Sequence, residues 1–169
     1  METNSIAGSY RKHVQQQFQI GRQTLLGVMV MTVINLGLLL GNGDSYMIFS
    51  VSAPYYLTWL GKAIDNMQNG TYTLTGLAIA VAILLVYFLL WVLSRKRGGM
   101  LWVAVGGLVI DLLALIWVSI LLTGSILNSA VDILFHLVAI YQIGKGATNW
   151  KTLKELPPDL EFTVVDGSL

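Results

Sequence analysis

The chain has 169 residues, 55% hydrophobic and only 11% charged, where a soluble domain carries about 25% charged residues. Together with a mean hydropathy of +0.69, this points to a membrane protein forming one bundle, with no room for a separate soluble domain. Cysteine is absent, which excludes disulfides, thiol catalysis and cysteine-ligated zinc or iron–sulfur centres.

Residues 1–9 are polar and read as disordered. Over 10–23, Val14 and Phe18 stand four apart among Arg11, Lys12 and Arg22. That pattern fits an amphipathic helix in the inner interface and equally a continuation of the first span; either way 1–23 forms a cytoplasmic N-terminal segment. The first apolar run, 24–41, is about the length needed to cross ~30 Å of hydrocarbon. It starts after 23 residues of polar character and ends at Gly41-Asn42-Gly43, a poor cleavage site. It therefore reads as a retained span and not a signal peptide.

An outer loop, 42–73, follows. Its stretch 46–60 has no charge and holds Tyr46, Phe49, Tyr55, Tyr56 and Trp59. A fifth span here would put Arg95, Lys96 and Arg97 outside, against the positive-inside rule. The segment is expected instead as an outer-face helix starting near Pro54, since proline suits a first helical turn. It lies on the bilayer or dips in as a re-entrant cap, and Asn69-Gly70 turns the chain into the second span.

The second and third runs, 74–93 and 100–123, are joined by the six residues 94–99 and must be antiparallel neighbours. The fourth, 126–143, follows Thr123-Gly124-Ser125, where Gly124 can close one helix and Ser125 cap the next. In the cytoplasmic tail, 145–169, residues 149–156 read as a short amphipathic piece beyond Gly144 and Gly146. Trp150, Leu153 and Leu156 share a face, Pro157-Pro158 stops it, and the remainder reads as disordered.

Four spans with both termini inside put Arg11, Lys12, Arg22, Arg95, Lys96, Arg97, Lys145, Lys151 and Lys154 on the cytoplasmic side and leave only Lys62 outside. This is the asymmetry that the positive-inside rule predicts. The expected fold is all-α: a polytopic membrane protein, an antiparallel four-transmembrane-helix bundle over 24–144 with an aromatic interfacial or re-entrant helix in its first outer loop.

Polar groups at bilayer depth are costly and each needs a reason. Asn35, Asp111, Asp132 and His136 stand out. From the inner ends of their spans, Asn35 and Asp111 lie roughly 17 Å deep, Asp132 ~18 Å and His136 ~12 Å. Asp132 and His136 are four apart on one helix face. A later start to the fourth span would move Asp132 toward the outer end. The cluster fits a proton- or cation-handling site, because histidine titrates near neutral pH. It fits a structural role somewhat better, as hydrogen bonds tying helices together. Tyr55, Tyr56 and Trp59 are candidate ligand contacts on the outer loop. Gly37, Gly41, Gly106 and Gly107 read as packing positions before dimerisation ones.

No nucleophile elbow, Walker loop or dinucleotide fingerprint is present. With two histidines, one of them His13 outside the membrane, haem held by two histidines within the bundle is excluded. No metal, cofactor or nucleic-acid partner is expected, and the basic edge suits anionic lipid heads. The architecture of residues 10–156 resembles small four-span proteins of bacterial inner membranes. The resemblance rests on Val33-Ile34-Asn35-Leu36, on Tyr46 to Tyr56, and on the last span with Asp132 and His136. It implies a location in the bacterial cytoplasmic membrane and no particular activity.

The leading expectation is a non-enzymatic integral membrane protein, an accessory or interaction component of a membrane complex, with lipid and a membrane-protein partner or second copy around it. The alternative is a small transporter or channel subunit using the Asp/His cluster. A membrane enzyme with an outward-facing site ranks third.

Overall fold

A computed structural model describes residues 2–41, 49–68 and 70–156. Within them the chain is all-helical: α1 (Glu2–Leu40), α2 (Ser52–Gln68), α3 (Tyr72–Leu93), α4 (Met100–Thr123) and α5 (Ala130–Glu155), with a 3₁₀ turn at Leu127–Ser129 before α5. The expected disorder of 157–169, the turn residue Asn69 and the aromatic Tyr46 lie outside the described residues.

Among the described residues, three helical stretches are long and apolar enough to cross a membrane: Tyr10–Leu40, Tyr72–Leu93 and Met100–Leu122. The sequence expected four. The expected fourth, 126–143, carries Asp132, His136 and Gln142, which dilute its apolar character. Its outer face is nevertheless apolar and exposed, with Val131, Leu134, Leu137 and Tyr141 at the surface. The same inside-out character marks α3 and α4, where Leu85, Leu89, Ile110, Leu113 and Trp117 are exposed.

The helix boundaries correct several expectations. Residues 2–9 belong to α1 and are not a disordered leader, while 10–23 continues into the apolar run without a break, the second of the two readings that the sequence left open. At the other end, 149–156 is not a separate piece: α5 runs unbroken through Gly144 and Gly146 to Glu155. Leu156 is extended (ψ 136°), as the residue before a proline prefers. Between α4 and α5 the connection is longer than three residues. Gly124, left-handed at φ 65°, accepts the end of α4 and its N–H bonds the Ile120 carbonyl. The chain then folds back along α4, where the Ser119 and Ser129 hydroxyls meet at 2.6 Å, and α5 starts only at Ala130.

α1 and α5 run antiparallel as one long seam. Arg11 Nη1 donates to the Leu156 carbonyl (3.0 Å), and the Thr24 hydroxyl bonds Gln142 Oε1 (2.7 Å). Between these pairs the backbones touch: a Cβ on Gly21 would sit 2.9 Å from the Gly146 Cα. Only two glycines admit so close a crossing. Leu25 and Val28 of α1, Leu101, Ala104 and Leu108 of α4, and Ala139 and Ile143 of α5 fill the core. The turn after α3 is pinned to the seam by Arg22, whose Nε donates to Ser94 Oγ (2.9 Å) and whose guanidinium lies over the Trp91 ring. Gly98 packs directly under Trp150. These contacts gather the ends carrying Arg11, Arg22, Arg95, Lys96, Arg97 and Lys154 at one end of the bundle. Lys62 lies at the other end, its Nζ donating to the Leu39 carbonyl (2.8 Å).

α2 packs along the first half of α3. Gly61 meets the Tyr72 carbonyl and Gly76 the Leu57 carbonyl so closely that neither position has room for a Cβ. Residues 49–51, just before α2, lie alongside α1 well below its end. Phe49 takes a left-handed backbone (φ 74°), rare and strained for a bulky residue. Val51 N–H then donates to Thr32 Oγ1 (2.8 Å), which lies eight residues or ~12 Å below Leu40 on α1.

Candidate functional site

The first backbone N–H groups of a helix have no partner within it. α2 starts in the interior of the bundle, with Val51 and Ser52 buried, so its first amides need partners from elsewhere. Val51 precedes it and has no polar side chain. The partners come from α1 and α4. Val51 N–H is taken by Thr32, as above. Ser52 N–H donates to Asp111 Oδ2 and Ala53 N–H to Asp111 Oδ1, each at 2.8 Å. Both oxygens of one α4 carboxylate thus cap a helix that follows α1 in sequence. Asn35 Nδ2 donates to Ser50 Oγ (2.8 Å) just before it.

His136 completes the arrangement from α5. Its Nε2 lies 2.9 Å from Asp111 Oδ2 and its Nδ1 2.9 Å from the Asp132 carbonyl oxygen. A carbonyl oxygen only accepts, so Nδ1 carries a hydrogen. Asp111 Oδ2 also accepts the Ser52 N–H, so one oxygen serves both the α2 amide and the imidazole. Nε2 and Asp111 Oδ2 share the one remaining hydrogen position of the contact. The Ser52 hydroxyl stands 3.5 Å from the same nitrogen.

Asp132 does not sit at mid-helix. Because α5 begins at Ala130, Asp132 lies in its first turn, where a carboxylate suits the positive end of the helix dipole. Its Oδ1 is 3.5 Å from His136 Nδ1. The four polar residues singled out by depth are all buried: Asn35 0%, Asp111 4%, Asp132 8% and His136 3% exposed. Asp111, Asp132 and His136 form one cluster, and Asn35 bonds Ser50, two residues before Ser52. No known protein family, curated protein sequence or solved structure matches this chain.

The space beside the cluster, bounded by Val28, Phe49, Ser50, Leu108, Phe135 and His136, is too narrow to hold a water molecule. Phe49 and Phe135 close it edge to face (5.8 Å between ring centres). The outer-loop candidates are on α2 itself: Tyr55 and Tyr56 are half-buried and stacked edge to face at 5.8 Å, and Trp59 is exposed. None of the three lines the space beside His136. Among the described residues no set of His, Asp or Glu side chains is arranged to hold a metal ion.

Sequence reasoning missed Ser50, Ser52, the Ala53 amide and Thr32. Thr32 and Ser50 are short polar residues in or beside apolar runs, which is a readable if faint signal. The amides of Ser52 and Ala53 leave no trace in a sequence.

Proposed function

We infer that the protein is a non-catalytic integral membrane component in which the Asp111–His136 cluster is a structural clasp. In this reading α1, α3, α4 and α5 are four antiparallel spans, and α2 is a re-entrant helix whose buried end the clasp holds. The supporting observation is that both Asp111 oxygens are engaged, by two α2 amides and by His136, and that the space beside His136 is too narrow for water. A group so occupied has no room to exchange protons with a moving substrate. The exposed apolar face of α5 supports its placement as the fourth span. With the many-cation end inside, as the positive-inside rule favours, both termini are cytoplasmic. The resemblance noted above favours a bacterial cytoplasmic membrane. With its polar groups turned inward, the protein acts through its surface, as an accessory or interaction component.

Two experiments test this. Protein reconstituted into liposomes with a trapped pH-sensitive dye should show no proton flux above empty vesicles; a flux that Asp111→Asn abolishes would establish the transport alternative instead. For topology, a single cysteine at Gln68 should label in intact cells and one at Lys151 only after lysis. The reverse pattern would overturn the orientation, and labelling of both only after lysis would overturn the four-span arrangement.

A further inference from the structure

The glycines of α4 differ in what surrounds them. Gly107 has a packing reason: the Tyr87 hydroxyl lies against it, 2.6 Å from where a Cβ would be. Gly106 has none. A Cβ there would meet nothing within 4 Å, and its conformation is helical, so no backbone strain calls for glycine. Glycine inside a helix is less favourable than alanine. Gly106 faces a groove of about 500 Å³ between α3 and α4, bordered by Ile83, Val86 and Leu90 on one wall and Val103 and Ile110 on the other. The groove is apolar and runs ~10 Å along α3 from Leu90 to Ile83. Gly99, one to two turns before Val103 and Gly106, likewise has open space where a Cβ would go.

Arg95, Lys96 and Arg97 stand on the turn that joins the two walls, and all three side chains are exposed. Arg95 leans over the Trp91 ring (5.5 Å to its centre). The Lys96 and Arg97 side chains have no ion-pair or hydrogen-bond partner among the described residues. An apolar slot with a cationic mouth suits a molecule with a hydrocarbon tail and an anionic head. A second copy of this chain in the same orientation would bring two Arg95–Arg97 turns together, and like charges disfavour that.

We propose that the α3–α4 groove is a binding site for an anionic phospholipid, one acyl chain lying over Gly106 and the phosphate meeting Lys96 and Arg97. Basic residues beside a spanning helix attract anionic lipid heads, and here the groove adds a fixed place for the chain. The site does not depend on the clasp reading.

Purified protein in detergent, offered dioleoyl-phosphatidylglycerol, dioleoyl-phosphatidylcholine or inorganic phosphate, tests it by native mass spectrometry and thermal unfolding. Phosphatidylglycerol should be retained with about tenfold preference over phosphatidylcholine, the effect of one to two surface cations, and should raise the unfolding temperature more. Inorganic phosphate should do neither. Lys96→Gln/Arg97→Gln should remove the preference and leave general lipid retention. Gly106→Leu fills open space and should fold at least as stably, yet lose the retained lipid. Equal retention of the two lipids by the wild type, the same stabilisation by inorganic phosphate, or undiminished retention by Gly106→Leu would each overturn the proposal. So would a dimer that Gly106→Leu converts to monomer with lipid retention unchanged, which would assign the groove to a second copy.

Discussion

Two helices in this protein start beneath a carboxylate borrowed from another helix, and the two starts are chemically alike. At α2, Asp111 accepts Ser52 and Ala53 N–H, both at 2.8 Å. At α3, Asp65 from the last turn of α2 accepts Tyr72 N–H at 2.7 Å and Thr73 N–H at 2.8 Å. Thr71, which precedes α3, makes no capping bond with its own side chain. What differs is the surroundings. Asp65 stands at the end of the molecule, where water can replace it. Asp111 lies in the interior, paired with His136. A lost partner at the first site is made good by solvent; at the second it leaves buried amides unsatisfied, each at a cost of about 1–3 kcal/mol. The same geometry is thus ornamental near water and structural away from it.

The comparison is sharpened most by Asp111→Leu. It orphans two amides and strands His136, and unfolding in detergent should show a loss of about 3–5 kcal/mol. His136→Leu leaves the carboxylate with its two amide donors, so the loss should be smaller, about 1.5–3 kcal/mol for a bond to a charged group. Replacing both with leucine does not rescue the protein, because Ser52 and Ala53 N–H stay unpaired. The double variant should fall near Asp111→Leu alone, non-additive by at least about 1 kcal/mol. Strict additivity would mean that the two side chains do not interact.

Thr32→Val comes next. It keeps the shape and removes the acceptor for Val51 N–H, for a loss of about 1–2 kcal/mol. If thermal unfolding of Thr32→Val matches the wild type, the approach to α2 is less tightly held than its hydrogen bonds imply.

The smallest effect belongs to Asp65. The Thr73 hydroxyl, then the Thr73 and Tyr72 amides, hold its carboxyl below the ordinary value of 3.8. A depressed carboxyl supports the fold fully above its unfolded value and loses that support as pH falls through the folded one. Amide exchange at Tyr72 and Thr73 should therefore quicken, relative to the intrinsic rate, only on acidification below the ordinary value. Asp65→Asn should remove that pH dependence and barely change global unfolding. A global loss comparable to Asp111→Leu would erase the contrast between the two caps.

Much of the frame was readable from residues because membrane helices obey length and charge rules. The apolar runs of α1, α3 and α4, the turn at 94–99 and the segregation of cations follow from hydropathy and from Lys and Arg positions. The fixed helical rise put Asp111 and His136 at one level before any contact was known. What lay beyond the sequence is backbone chemistry and tertiary approach. Ser52 and Ala53 contribute amides, which every residue but proline has. Gly21 and Gly146 are 125 positions apart in sequence, and neither looks special until the two helices cross. Gly144 and Gly146 suggested a break in α5; close packing against α1 keeps the helix intact there. The place of Asp132 in the first turn of α5 depends on the return along α4, closed by Ser119 and Ser129, which delays α5 to Ala130.

The clasp is tested most directly by amide hydrogen exchange at Ser52 and Ala53 in the lipid-embedded protein. Both amides should exchange as slowly as those in the middle of α4, and Asp111→Leu should speed them by about a hundredfold or more, the loss of roughly 3 kcal/mol of local protection, while α4's own amides stay protected. Exchange in the wild type as fast as at the solvent-facing amides of Tyr72 and Thr73 would contradict the account.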